Sequence, residues 1–302
     1  MGQSVLVRST DWGVGYGLDR AERSKVRFQP VFPGTGIRFV RYDLPGNPEV
    51  GCRPENARRQ PRWAALEESG VWVHHTKHVL AAIAGERLDD LLVEVTTDRV
   101  PILSAGRCEG FSRALQDAGQ RETDIASVVW SLRTATYFEA PLEVPLGAKP
   151  IAENGSRRYV FAIPADNCAA NFLFHAPAFA PDRIGWAEYR AITGFADTLG
   201  RARSSYLESE EATLTGPFAG LREAFVRLRP SSPQAVYNEV ARHRLVDFVG
   251  DLMVLGRRLL SRFAVFRSGH HFHLEFVDHL VMGGLLELLS EPSKGGGRGH
   301  NR

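Results

Sequence analysis

Cysteine is scarce in this sequence, and two classes of protein are excluded by its scarcity. The three cysteines, Cys52, Cys108 and Cys168, lie far apart and form no Cys-x-x-Cys pair. A disulfide framework needs an even set of closely spaced cysteines, and a zinc ribbon needs paired ones. We therefore exclude both and expect a protein of the reducing cytoplasm.

The chain also lacks a basic excess and a long apolar run. Its 37 Lys and Arg residues nearly balance 35 Asp and Glu residues, whereas nucleic-acid-binding proteins usually carry a clear positive charge. The most apolar stretch, residues 276–289, is interrupted by Asp278, His279 and Glu287 and is shorter than the roughly 18 residues that span a bilayer. The first ten residues contain no signal-peptide core. We expect a soluble protein without a nucleic-acid partner.

The 302 residues, 43% of them hydrophobic, are sufficient for two domains of ordinary size. Each half of the sequence has strand patterns followed by helix patterns, which indicates a duplicated α+β unit. The composition becomes polar at residues 120–127. We therefore predict an N-terminal α+β domain over residues 1–125, a C-terminal α+β domain over 126–291 and a disordered tail over 292–302.

Local patterns predict individual elements. Residues 45–62 contain four prolines and are predicted to form a loop, and residues 13–17 (GVGYG) a turn, because they miss the spacing of a nucleotide-binding loop. In the first half, strands are predicted over 26–32, 37–42, 91–95 and 100–103, and helices over 76–84 and 111–118. In the second half, strands are predicted over 128–138, 157–163, 171–175 and 263–267, and helices from about 187, over 233–260 and over 274–289.

The strongest chemical pattern lies in the long predicted helix. His243, Asp247 and Asp251 follow one another at intervals of four residues and therefore share one stripe of the helix. A histidine and a carboxylate at positions i and i+4 can hold one metal ion. A solvated polar face is the alternative interpretation. The opposite, buried face would consist of Leu245, Phe248, Val249 and Leu252.

Two histidine clusters add to this pattern. Residues 74–78 (HHTKH) lie at the start of the first predicted helix, and residues 268–273 (SGHHFH) lie between a strand and a helix. A histidine of the first cluster would complete a His/His/Asp zinc site with an open fourth position. A histidine of the second cluster is well placed as a general acid or base. Taken singly, each cluster is also compatible with surface histidines.

At these residues the sequence resembles the UDP-3-O-acyl-N-acetylglucosamine deacetylase family, the zinc amidases of lipid A biosynthesis. The resemblance covers nearly the whole chain and is most specific in its last segment. The segments that carry it are TKHVLAAIAGERLDDLLVEVTTDRVPIL, FHAPAF, GRARSSY and RHRLVDFVGDLMVLGRRLLSRFAVFRSGH.

The resemblance implies a zinc site and its catalytic partners. His78, His243 and Asp247 match the three zinc ligands of the family. His270 matches the histidine that acts as general acid and stabilises the oxyanion, and Asp251 matches the acidic partner of that histidine.

It also implies substrate contacts and a fold. Ser204 stands where the family has a threonine that helps to hold the tetrahedral intermediate. Arg244 replaces a lysine that is implicated in substrate binding. The implied fold is α+β, with two domains of similar topology, each a β-sheet packed with helices, and with the helices sandwiched between the sheets.

Lys77 departs from the family pattern at a position that matters for catalysis. The family has a glutamate there, which takes the proton from the zinc-bound water, whereas a lysine ammonium cannot accept a proton. Two hypotheses follow. The chain is either a zinc-dependent deacetylase or a catalytically impaired zinc-binding paralogue that binds the acylated sugar nucleotide as a regulator. In the deacetylase, the catalytic base would be Lys77 in its neutral form or Glu239, one turn before His243 on the same helix stripe.

The preferred hypothesis is a cytoplasmic zinc-dependent deacetylase that removes acetate from a UDP-linked 3-O-acyl-N-acetylglucosamine. We expect Zn²⁺ as the cofactor and the acylated UDP-amino sugar as the partner. We further expect a monomer with peripheral contact to the inner membrane surface.

Overall fold

A computed structural model describes most of the chain. The predicted tail and Cys168 lie outside the described residues, and within them no helix is long and apolar enough to cross a membrane. The described ranges are 2–17, 22–60, 63–141, 157–164, 171–177, 184–190, 194–207, 225–229 and 231–290.

The described part of the first half contains a mixed sheet, a small antiparallel sheet and two helices. The mixed sheet has the strand order β2-β3-β9-β4-β5, in which only β4 and β9 are parallel, while β6, β7 and β8 form the small sheet and β1 pairs with β10. The elements are β1 (Gly2–Leu6), β2 (Gly13–Tyr16), β3 (Arg23–Gln29), β4 (Ile37–Arg41), β5 (Glu49–Gly51), β6 (Ala57–Gln60), β7 (Trp63–Glu68), β8 (Val71–His74), α1 (Lys77–Gly85), β9 (Leu91–Val95), α2 (Glu109–Asp117) and β10 (Gln120–Ala126).

The second half is built around its penultimate strand, β18. The sheet has the order β12-β13-β18-β11-β19, and β14 also pairs with β18 and with β15. A short parallel pair, β16 and β17, is separate from it. The elements are β11 (Val128–Leu132), β12 (Thr136–Pro141), β13 (Arg157–Pro164), β14 (Asn171–Pro177), β15 (Ile184–Arg190), β16 (Ser205–Leu207), β17 (Val226–Leu228), α3 (Gln234–Leu252), β18 (Leu259–Phe266), α4 (His270–Met282) and β19 (Leu286–Ser290).

The helices lie between the two large sheets. Phe111 of α2 packs edge-on against Phe28 of β3, and Phe248 of α3 packs edge-on against Phe263 of β18. These side chains belong to one continuous buried cluster that includes residues of both halves. Burial of such aromatic side chains is a main source of stability in a core. The predicted α+β architecture, with helices sandwiched between sheets, is confirmed.

A close approach of α1 and α3 positions the polar residues described below. Gly250 of α3 lies against the start of α1, where a Cβ atom would be 2.0 Å from the carbonyl oxygen of Lys77. Only a glycine fits at that distance. The absence of a side chain therefore brings the first turn of α1 directly onto the polar stripe of α3.

Several predicted elements are confirmed, and others end in different places. The helix predicted over 76–84 is α1, and the strand predicted over 91–95 is β9. The helix predicted to reach residue 260 ends at Leu252, because Gly256 adopts a left-handed conformation (φ 77°) after a short 3₁₀ turn and the chain then enters β18. The helix predicted over 274–289 ends before two glycines and is followed by β19.

Other predictions were wrong because of strand pairing. The proline-rich segment 45–62 contains β5 and β6, which fit between the prolines so that no proline interrupts a strand. The glycine-rich segment 13–17 is mostly β2, an edge strand paired with β3. The segment predicted as helical from about residue 187 belongs in part to β15, which pairs with β14. Residues 100–103 form only an isolated bridge instead of a strand.

Candidate metal centre and active site

Three helices supply the polar residues of the candidate site. The first turn of α1 carries Lys77 and His78, the middle of α3 carries the i, i+4 stripe of His243, Asp247 and Asp251, and α4 begins at residue 270. The stripe is buried, since its three side chains are between 1% and 7% exposed. The interpretation of the stripe as a solvated polar face is therefore wrong.

His78, His243 and Asp247 form a group that could hold a metal ion. Each offers a ligand atom, and these atoms lie within 4.8 Å of one another. The Nε2 atoms of the two histidines are 3.1 Å apart, and Oδ1 of Asp247 is 3.6 Å from Nε2 of His78. Two nitrogen ligands on one tetrahedral zinc ion, with bonds of about 2.0 Å, are about 3.3 Å apart. The donor set and its spacing therefore fit zinc.

Burial and neighbouring charges shift the pKa values of these three candidate ligands. It lowers the pKa of His78 to about 4, assisted by the nearby charge of Lys77, and it lowers the pKa of His243 as well. For Asp247, burial raises the pKa, but the positive charge of Lys77 and the neighbouring histidines outweigh this effect and hold it well below its usual value. At neutral pH the group therefore consists of two neutral imidazoles and one carboxylate, the protonation state that metal binding requires.

Lys77 is the buried cation of this group. Its Nζ atom lies 2.9 Å from Oδ1 of Asp247 and 2.9 Å from Nε2 of His270, and its side chain is 10% exposed. An ammonium has donors but no acceptor. Lys77 therefore forms an ion pair with a predicted metal ligand and donates a hydrogen bond to the predicted general acid.

His270 belongs to a buried chain of hydrogen bonds that ends at Ser268. Nδ1 of His270 and Nδ1 of His273 each lie 2.6 Å from the same oxygen of Asp251, Oδ2, and Nε2 of His273 lies 2.7 Å from the hydroxyl of Ser268. Burial raises the pKa of Asp251, but the two histidines, His270 foremost, lower it overall. The ionised Asp251 thus accepts from Nδ1 of His270 and leaves Nε2 of that ring facing the metal group.

Ser204 and Arg244 lie at the same centre, as the resemblance implies. The hydroxyl of Ser204 is 2.9 Å from Nε2 of His243. Arg244 reaches to 3.5 Å from Oδ2 of Asp247, and its side chain is 31% exposed. The first residue is thus placed against a metal ligand, and the second stands at the open rim of the centre.

Glu239 does not reach the centre as a free base. Its carboxylate accepts hydrogen bonds from Nε and Nη2 of Arg203, at 2.7 and 2.8 Å. These bonds lower the pKa of Glu239. A carboxylate held in this way is a poor proton acceptor. The hypothesis that Glu239 takes over as catalytic base from the glutamate that Lys77 replaces is therefore wrong.

Each of the two histidine clusters has some residues at the centre and others that pack elsewhere. In the first cluster, His74 stacks on Trp72, with ring centroids 5.4 Å apart, and His75 packs against Trp63 at 4.4 Å, so that His78 alone belongs to the metal group. In the second, His271 bonds to a backbone carbonyl of β6, whereas His270 and His273 face α3.

Sequence reasoning assigned no role to His273. Its position three residues after His270 on α4 places both rings on one side of the helix, and both bond to Asp251. The i, i+3 spacing of two histidines at the start of a helix was the sequence feature that could have identified His273 as part of the site.

The chain is similar to known proteins over most of its length. The model of the UDP-3-O-acyl N-acetylglycosamine deacetylase family matches residues 6–282. A curated relative from Thermosynechococcus vestitus, named UDP-3-O-acyl-N-acetylglucosamine deacetylase, is 25% identical over 283 residues, which cover 90% of this chain and 92% of the relative. The family match extends from β1 to the end of α4 and includes every residue of the centre. The chain belongs to the UDP-3-O-acyl N-acetylglycosamine deacetylase family.

Proposed function

We propose that this protein is a zinc-dependent deacetylase that hydrolyses the acetamide of a UDP-linked 3-O-acyl-N-acetylglucosamine in lipid A biosynthesis. The observation that carries the proposal is the convergence of His78, His243 and Asp247 beside the pair formed by His270 and Asp251. Membership of the deacetylase family and the name of the relative support the choice of substrate.

The three residues of the metal group would hold Zn²⁺. When bound, zinc would polarise the amide carbonyl and lower the pKa of a water molecule to about 7, so that a strong protein base is not required near neutral pH. Hydrolysis breaks the C–N bond of the amide, transfers the water oxygen to acetate and leaves a free amine, which needs a proton.

His270 is placed to supply that proton once its Nε2 is protonated, which requires that the hydrogen bond from Lys77 to this nitrogen is broken. Asp251 accepts the hydrogen bond from Nδ1 and so orients Nε2 towards the centre, a support that general acids commonly have. Ser204 offers a hydroxyl donor to the negative charge that develops on the carbonyl oxygen. Arg244, at the rim, offers a cation to the anionic part of the substrate.

A second candidate function follows from Lys77. Its ammonium stands at the position of the glutamate base and lies 2.9 Å from Asp247. A protein that binds zinc and the acylated sugar nucleotide without hydrolysing it, and so serves as a regulator, would retain the ligands but not the base. Lys77→Glu supplies a proton acceptor at this position and distinguishes the two functions.

The test is the release of acetate from an acylated UDP-N-acetylglucosamine by the zinc-loaded protein. Sustained turnover that is lost in Asp247→Asn supports the deacetylase. Activity that appears only in Lys77→Glu, by about 10²-fold or more over background, supports the regulator. Absence of both turnover and substrate binding in the wild type and in Lys77→Glu would refute both functions.

The remaining expectations from the sequence are part of the proposal. We propose two domains, residues 1–125 and 126–291, in a cytoplasmic monomer that contacts the inner membrane surface peripherally to reach its acylated substrate.

A further inference from the structure

The centre already contains a cation of its own. The ammonium of Lys77 is buried, and a buried ammonium is stable only when it is paired. Its partners are Oδ1 of Asp247 and Nε2 of His270, each at 2.9 Å. Arg244, the other cationic side chain near this carboxylate, approaches the opposite oxygen, Oδ2, from the more exposed side.

The oxygen that Lys77 holds is also the oxygen that faces a metal ligand. Oδ1 of Asp247 is the atom 3.6 Å from Nε2 of His78. An ammonium cannot be a metal ligand itself, and it repels a divalent cation that approaches the same oxygen. Lysine and metal therefore cannot both occupy this side of Asp247.

We infer that Lys77 is an internal counter-ion that competes with the divalent metal for Asp247, so that the centre has a lysine-paired state and a metal-bound state. The inference rests on the proposed zinc site. In the lysine-paired state the charge of Asp247 is neutralised, and the fold does not depend on metal. In the metal-bound state the ammonium leaves Asp247 and Nε2 of His270, which frees that nitrogen for the substrate.

The first test compares zinc affinities, measured by competition with a chromophoric chelator. Lys77→Met keeps most of the length of the side chain and removes its charge. We expect its zinc affinity to be about 10²-fold higher than that of the wild type, because breaking one buried ion pair has at least this effect. Arg244→Met is the matched control, since it removes a more exposed charge near the same carboxylate. We expect a change of less than about threefold, because solvent screens this pair.

The second test follows thermal unfolding without and with metal. The wild type should remain folded and unfold cooperatively after EDTA treatment, because Lys77 neutralises Asp247 in the metal-free protein. Its melting temperature should fall only by the amount that the loss of zinc-binding free energy accounts for. Metal-free Lys77→Met should be less stable, or unfolded, and zinc should restore it. The comparison of the wild type before and after EDTA treatment tests the inference even if Lys77→Met folds neither without nor with zinc.

The possible outcomes separate the inference from the proposed function. Equal zinc affinities of the wild type and Lys77→Met, or an equal gain in Arg244→Met, would overturn the inference and leave the zinc site standing. A wild type that unfolds when metal is removed would also overturn it. A failure of the wild type and of both variants to bind zinc would overturn the zinc site together with the inference.

Discussion

Replacement of Gly250 by alanine tests the packing that assembles the centre. Helix propensity alone predicts that Gly250→Ala stabilises the protein by about 1 kcal/mol, because the glycine lies inside α3. The tertiary structure predicts the opposite sign. The new Cβ would lie 2.0 Å from the carbonyl oxygen and 2.7 Å from the carbonyl carbon of Lys77.

The size of the effect follows from this contact. An ordinary contact of 3.4 Å requires α1 and α3 to separate by about 1.4 Å, and a backbone carbonyl cannot rotate away as a side chain can. Overpacking against a backbone that cannot move aside costs about 3 kcal/mol, the upper end of the usual range. After the gain of about 1 kcal/mol from helix propensity, we expect a net loss of about 2 kcal/mol and a melting temperature about 4 °C lower. His78 lies on α1 and the other two ligands on α3. Because metal sites tolerate displacements of only about 0.2 Å, zinc affinity should fall at least about tenfold.

Thermal unfolding and zinc titration of the same samples measure both effects. Gly51→Ala is the control, because its Cβ would meet no atom closer than 3.4 Å and the nearest atoms belong to long side chains. The control should retain its melting temperature and its zinc affinity. A Gly250→Ala protein that is as stable as the wild type and binds zinc equally well would refute the close packing of α1 and α3.

Three further predictions concern the side chains of the centre. Purified protein should contain about one zinc ion per chain, and His243→Ala or Asp247→Ala should remove it, since three ligands are typical of catalytic zinc. Atomic emission measures the zinc content, and full occupancy in both variants would refute the ligand set. His270→Ala should lower kcat of the deacetylase by about 10²–10⁴-fold at unchanged zinc content, whereas His271→Ala should change it little; equal losses would refute the assigned register. The pKa of His78 falls from 6.5 to about 4 on folding, so the metal-free protein should keep its full stability above about pH 6.5 and lose about 3 kcal/mol as the pH falls towards 4. Urea unfolding of His78→Gln should show a smaller loss, and an identical pH dependence would contradict the shift.

Local patterns were sufficient for elements with a strong periodicity and a clear end. The nearly continuous apolar run of β9 (LLVEV) and the apolar run of α1 before Gly85 are properties of short segments. The candidate ligands on α3 could be selected as well, because i, i+4 spacing fixes their common face without reference to the rest of the fold. The resemblance to the family then selected His78 and His270 from two clusters of histidines.

The errors occurred where distant segments decide the local structure. β5 and β6 are too short to have a pattern of their own and exist through their pairing with β4 and β7. The apolar residues after Leu252 continue the helical pattern, but Met253–Leu255 form a 3₁₀ turn and Leu259 and Leu260 pair with β11 in the sheet. Strand pairing overrides such weak local preferences.

The sequence by itself determined the α+β class, which follows from the order of strand and helix patterns, and the pair His243 and Asp247, which follows from spacing along one helix. The resemblance to the family added His78 to the candidate ligands, and residue identity placed a lysine beside it. The tertiary structure alone decided that the stripe of α3 is buried, that Asp251 serves two histidines and that the ammonium of Lys77 lies on Asp247 and His270. These facts depend on the packing of three helices, α1, α3 and α4, that come from different parts of the chain, and the close approach of α1 and α3 is set by Gly250.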